Sequence, residues 1–62
     1  MNASEFYKRV LKLEQIQDQD DRIHCSRGCG WSHDVVYEAP KYLEELAHSA
    51  EWHNANCKYG DT

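Results

Sequence analysis

Cys25-Ser26-Arg27-Gly28-Cys29 and His53-Asn54-Ala55-Asn56-Cys57 are the two stretches that decide how this chain of 62 residues folds. In the first, two thiols flank a tight Ser-Arg-Gly turn. In the second, an imidazole and a thiol stand at i and i+4 in sequence that reads as helix, which sets both on one side of consecutive turns. Cys25, Cys29, His53 and Cys57 together supply donors for one tetrahedral metal ion. Three soft thiolates and an imidazole suit Zn2+, whereas Ca2+ or Mg2+ would require oxygen ligands. With every position taken by protein, no site is left for water, so the expected role of the ion is structural.

Working outward, the second stretch lies on the final helix, predicted from Pro40 to about Asn56. Pro40 fits a first helical turn, where its missing amide hydrogen would be unpaired anyway. Lys58 stands near the helix end and Gly60 lies beyond it. Leu43, Leu46, Ala47, Ala50, His53 and Cys57 fall on one stripe at steps of three and four, so the candidate ligands are in register with the leucines. Around the first stretch, Ile23 precedes the turn and Val35-Val36-Tyr37 favours β structure. Two small strands are therefore expected about the thiol pair, the second including Trp31. Gly28 and Gly30 supply backbone conformations that a crowded thiolate turn needs.

Before these elements, Phe6, Val10, Leu13 and Gln17 repeat at helical spacing and predict a helix over residues 3–17. Asn2 followed by Glu5 forms a capping box, with Ser4 a competing cap. The stripe is too thin to hold a helix alone, so it docks on the rest of the chain or forms a homodimer. Gln17 to Asp21 reads as a polar connector, too short to separate two domains. The expected organisation is a single domain over residues 1–62. Its parts are an N-terminal helix and a metal-binding module at about 23–59. The fold class is a small zinc-stabilised α+β domain: helix, short hairpin-like knuckle, helix.

Length supports a metal. A chain this short buries only about 60% of the surface its unfolded form exposes, and usually needs a metal, a disulfide or a partner. The apolar share of 40% includes three cysteines and several alanines. An odd cysteine count does not fit a disulfide framework, although a Cys25–Cys29 bridge leaving Cys57 free is an alternative. The first residues run straight into charged helical sequence with no apolar leader, and no window reaches membrane-spanning length. Both point to a cytoplasmic protein with reduced thiols and no membrane association.

Four histidines compete for the imidazole position. His48 with His53 would be spaced i,i+5, but His48 points with Glu44, Glu45 and Trp52, away from the leucines. His33 makes a second compact pair with Cys29 and is a replacement ligand if His53 is not used. His24 would have to share a very tight turn with Cys25.

The order of cysteine pair, short β segment and helix bearing His and Cys resembles the classical ββα zinc finger, in its variants ending in His-Cys. The resemblance covers residues 23–59. It departs from the family in having three residues rather than two between the first cysteines, and 23 residues between Cys29 and His53. Base-reading positions therefore do not carry over.

Seven Lys and Arg against eleven Asp and Glu give a formal charge of −4. That balance removes the long-range attraction that drives nucleic-acid binding. Asp34, Glu38, Glu44 and Glu45 crowd the start of the final helix, where a DNA-reading finger would meet phosphate. The aromatics Trp31, Tyr37, Tyr42, Trp52 and Tyr59 exceed what so small a core can bury, and exposed Trp and Tyr make interface anchors. The expected function is a protein-interaction module, in the manner of a small regulator docking on a larger protein. Trp31, Tyr42 and Trp52 provide the contacts, with Glu44 and Glu45 at the rim. Shielding of the thiolates by Trp31, and of the first helix by Trp52, is the competing reading. The alternative function is nucleic-acid binding through Lys8, Arg9, Lys12, Arg22 and Arg27. Catalysis is not expected: His33-Asp34 and His53-Asn54 offer no open metal position beside the committed ligands.

Overall fold

The computed structural model describes residues 1–57. Helix α1 (Ala3–Val10) leads into a three-stranded antiparallel sheet of β1 (Ile16–Gln19), β2 (Arg22–Cys25) and β3 (Ser32–Asp34), followed by helix α2 (Pro40–Asn56). This is a small α+β fold. The expectations for Lys58, Tyr59 and Gly60, and the far end of the 23–59 module, lie outside the described residues.

Asn2 starts α1. Its side-chain oxygen accepts the Glu5 amide at 2.8 Å, and its own amide donates to the Glu5 carboxylate at 3.3 Å, so it is Asn2 rather than Ser4 that caps. The helix ends at Val10, not near residue 17 as the periodicity predicts. Residues 11–15 are good helix formers, so local preference does not stop the helix; tertiary pairing overrides it. Ile16 enters the core from a strand instead, while Gln17 is exposed.

The expected connector is a hairpin turn. Asp20 and Asp21 both adopt positive φ (51° and 60°) between Gln19 and Arg22, which face each other in the ladder. A two-residue loop with left-handed conformation at both positions matches the twist of the flanking strands, and Asp tolerates that conformation better than most residues. Asp21 also accepts the Val35 amide at 2.8 Å through its carbonyl and the Tyr37 hydroxyl through its carboxylate. The Tyr37 hydroxyl lies 3.0 Å from that of Tyr7, and these contacts push its pKa up, the Asp21 bond foremost. Val35-Val36-Tyr37 is thus outside the sheet: β3 stops at Asp34, and only Val35 of the three is buried.

One core joins both helices, β1, β2 and Val35 just after β3. Phe6, Val10, Ile23, Leu43, Ala47 and Ala50 are completely buried, with Ile16, Val35 and Leu46 nearly so. The stripe of α1 therefore docks within the chain. A paired contact reinforces this: the Arg9 guanidinium donates to both carboxylate oxygens of Glu51, at 2.8 and 2.6 Å. This fork holds the Glu51 carboxyl below its usual pKa. Helix α2 spans the predicted residues, opening on Pro40 and burying Leu43, Leu46, Ala47 and Ala50. No helix among the described residues is long and apolar enough to cross a membrane.

Candidate metal centre

The pairing of β2 with β3 brings the first two thiols into place. His24 faces Ser32 in the ladder, and the Cys25 amide donates to the Trp31 carbonyl at 2.9 Å, closing the loop between them. Inside that loop the Gly28 amide approaches the Cys25 carbonyl at 3.4 Å. Gly28 and Gly30 take φ of 79° and 90°, left-handed backbone that a side chain would strain. Cys25 is buried at the end of β2, and Cys29 is half-buried.

The other two donors come from the last turn of α2 and the residue that caps it. Its apolar stripe is followed by half-buried His53 and Cys57, and the Cys57 amide closes the helix by donating to the His53 carbonyl at 2.8 Å. Gln15, between α1 and β1, clamps the two ligand-bearing segments. Its amide donates to Asn54 Oδ1 at 3.0 Å, and its carbonyl accepts the Ser26 amide at 2.7 Å. A backbone unit thus links the neighbour of Cys25 to the neighbour of His53.

Cys25 Sγ, Cys29 Sγ, His53 and Cys57 Sγ consequently offer donor atoms that all lie within 4.8 Å of one another. Around a tetrahedral ion with metal–sulfur bonds of about 2.3 Å, two sulfurs sit about 3.8 Å apart. The Cys25 and Cys57 sulfurs are 3.9 Å apart. Cys29 Sγ and His53 Nε2 are closer, at 3.1 Å. A shared ion would spread that pair to about 3.5 Å, a small adjustment of two half-buried side chains. The four residues fit a metal ion, and these four can hold one.

The surroundings of the thiols differ. Burial pushes the Cys25 thiol pKa up, opposed by the Arg27 backbone amide that donates to it. The Trp31 backbone amide donates to Cys29 and draws its pKa below the ordinary thiol value. Amides aimed at sulfur favour thiolates, the form that binds metal.

The rival histidines lie outside the cluster. His48 is 65% exposed and leans toward Arg9 and Glu51, at 3.4 and 3.9 Å. His33 is exposed in β3 and meets the edge of Trp31, at 4.9 Å between ring centroids. His24 is half-buried in β2.

Trp31 stacks on the His53 ring, with centroids 5.0 Å apart and planes inclined by 18°. Its ring therefore covers the imidazole, where the expected partner is the thiolates. Tyr42 is half-buried and donates its hydroxyl to the Asp34 carbonyl at 2.9 Å. Trp52 is 67% exposed, so it does not cover α1; Glu44 and Glu45 are exposed on the same helix. Of the basic residues considered for nucleic acid, Arg9 is paired with Glu51, and Arg22 with Asp34 at 3.1 Å. The Gln15 clamp and the Trp31 stack were not anticipated. Neither has a local signal, because each depends on segments far apart in the chain. Comparison with family models, curated proteins and solved structures finds no match to this chain.

Proposed function

We propose that this chain is a small zinc-stabilised domain of Cys-Cys-His-Cys type, related in architecture to the ββα finger, whose task is to present a protein-binding surface. The convergence of four donor atoms within 4.8 Å carries the reading. Thiolate-rich tetrahedral sets favour Zn2+, and a closed set gives it a structural role rather than a catalytic one. The order of β2, knuckle, β3 and a helix ending in His and Cys supports the finger likeness, with α1 and β1 as additions. The domain is proposed to act as a monomer, since Phe6 and Val10 of α1 are already fully buried. The odd cysteine count, which suits reduced thiols better than a disulfide framework, supports the further proposal that it works in the cytoplasm. Native mass spectrometry before and after acid denaturation tests the reading. One zinc per chain on a monomer is expected, and metal-free protein from a chelator-free preparation would overturn it.

The partner is proposed to be a protein that seats on Trp52, with Glu44 and Glu45 at the edge of the contact. Trp52 is the most exposed large hydrophobic side chain among the described residues, and aromatic anchors of this kind dominate interface energetics. Trp31 and Tyr42, half-buried and engaged within the domain, contribute their edges at most. The ion pairs of Arg9 and Arg22 weigh against the nucleic-acid alternative, because their charge is already opposed. Trp52→Ala should weaken partner capture with zinc content and helicity unchanged. Loss of capture on replacing Lys8 and Lys12, with steep salt dependence, would instead select nucleic acid.

A further inference from the structure

Trp31 touches three of the four donor residues. Its carbonyl accepts the Cys25 amide at 2.9 Å, its amide donates to the Cys29 sulfur, and its indole stacks on the His53 ring. The strand sets a second imidazole on the same side. His33 pairs with Ile23, whose side chain is completely buried, and Trp31 stands two residues before His33. Both rings therefore belong to the inner face of the sheet. The indole meets the His33 ring edge-on at 4.9 Å between centroids, and the His53 ring nearly face to face at 5.0 Å. It is the contact that the two histidines share.

Resting on the zinc reading above, we infer that Trp31 is the positioning residue of the centre: its indole selects His53 over His33 as the imidazole ligand and aims the chosen ring. The lone pair by which an imidazole nitrogen binds a metal lies in the plane of the ring, so whatever fixes that plane restricts where the ion sits. Stacking at an inclination of 18° fixes it, and Nε2 is already turned toward the Cys29 sulfur at 3.1 Å. His33 follows Cys29 by a short stretch of chain, Gly30-Trp31-Ser32, so chain length does not keep it from the ion. The indole against its ring does. That indole is not free to withdraw, because its own backbone is tied to Cys25 and Cys29.

Two effects separate this role from plain packing. Losing an outer partner of a metal-bound imidazole typically costs roughly 10–100-fold in affinity, so Trp31→Ala should weaken zinc binding by about that factor. It should also change the ligand set, with His33 entering beside His53 or in its place. Trp31→Phe keeps an aromatic face and should restore His53 as the single imidazole ligand. A side chain that merely filled space would alter stability without altering which nitrogen binds.

The experiment loads histidine-labelled protein with an NMR-active cadmium isotope, which takes thiolate and imidazole donors as zinc does, and reads cadmium–nitrogen coupling. Wild type should show one coupled imidazole nitrogen, Nε2 of His53. His53→Ala with Trp31 intact should show no coupled His33, whereas the double variant Trp31→Ala, His53→Ala should gain one. Recruitment of His33 in His53→Ala, or coupling to His53 alone in Trp31→Ala, would overturn the inference. Where the Trp31→Ala variants take up no cadmium, His53→Ala decides: an uncoupled His33 upholds the selection and a coupled one removes it. Wild type itself separates the two readings. Protein that takes up neither zinc nor cadmium overturns the zinc reading, whereas cadmium held by the sulfurs and His33 leaves a metal centre and overturns the role of Trp31.

Discussion

In the first three turns of α2, Leu43, Leu46, Ala47 and Ala50 are shielded from solvent by α1 and the sheet, whereas in its last turn His53 and Cys57 stay half open. The first region is held by apolar burial, worth about 1.5–3 kcal/mol for each large side chain. It has few such residues: Phe6, Val10, Ile23 and Leu43 are the largest fully buried ones. The second region has almost none, and Trp31 over His53 is its main aromatic cover. What it has is a set of donors. A structural zinc contributes about 10–16 kcal/mol of apparent binding energy, more than so small a core supplies net of chain entropy. On the proposed zinc reading one helix depends on two unlike forces, and each can be broken separately.

The largest effect should come from removing the metal. A strong chelator under reducing conditions should abolish the cooperative unfolding transition and most helical ellipticity, since the core alone falls short of the ordering cost. Circular dichroism with and without chelator measures this. A chelated, reduced chain that keeps a full transition would show that the apolar region suffices by itself.

Next is the ligand set. Cys57→Ser should cut zinc affinity by more than the roughly 100-fold typical of losing an outer partner. His48→Ala should leave zinc binding intact and alter stability by no more than about 0.5 kcal/mol, the ordinary range for a surface substitution. Competition titration against a chromogenic chelator compares the two variants. Equal zinc retention in both would mean that the donors have been misassigned.

Below that comes the apolar region. Phe6→Ala removes a completely buried ring and should cost about 3–5 kcal/mol in zinc-loaded protein. Folded Phe6→Ala should nevertheless carry one zinc per chain, because no donor lies on α1. Thermal unfolding paired with metal analysis distinguishes this from Cys57→Ser, where the metal is lost first.

The same contrast explains what could be read from the sequence. The donor cluster was legible because its rule is chemical: donors of the right kind at i,i+4 and across a short turn, in register with Leu43 and Leu46. Helix α2 was legible from Pro40 and its stripe. The sheet was legible only in part. Ile16-Gln17-Asp18-Gln19 has a single apolar residue and shows no alternation, so β1 carries no strand signal of its own. Leu13 and Gln17 extend the periodicity of α1 by coincidence: Leu13 packs beside the core from a turn, and Gln17 lies on an exposed strand face. Asp20-Asp21 reads as charge before it reads as a left-handed turn. The Arg9–Glu51 fork joins positions 42 apart, where no local pattern reaches.

That fork gives the smallest of the expected effects, and its sign can be worked out. The Arg9 guanidinium lowers the Glu51 pKa in the folded state, its hydrogen bonds being the main cause. A carboxylate whose folded pKa is depressed stabilises the fold above its unfolded value, about 4.3. The contribution is lost as pH falls from there through the lowered folded value. Both side chains are about a third exposed, at 30% and 38%, so solvent screening keeps the effect small. Glu51→Gln should therefore melt only slightly below wild type at neutral pH, with zinc content unchanged. Acid also protonates the thiolates and releases metal, but it does so in both proteins, so the difference between their melting temperatures isolates the fork. That difference should hold constant from pH 8 to about 5.5 and shrink below the carboxylate range. A difference that persists undiminished in acid would show that Glu51 acts through packing rather than charge, and that the apolar region needs no ionic help to hold α1 on α2.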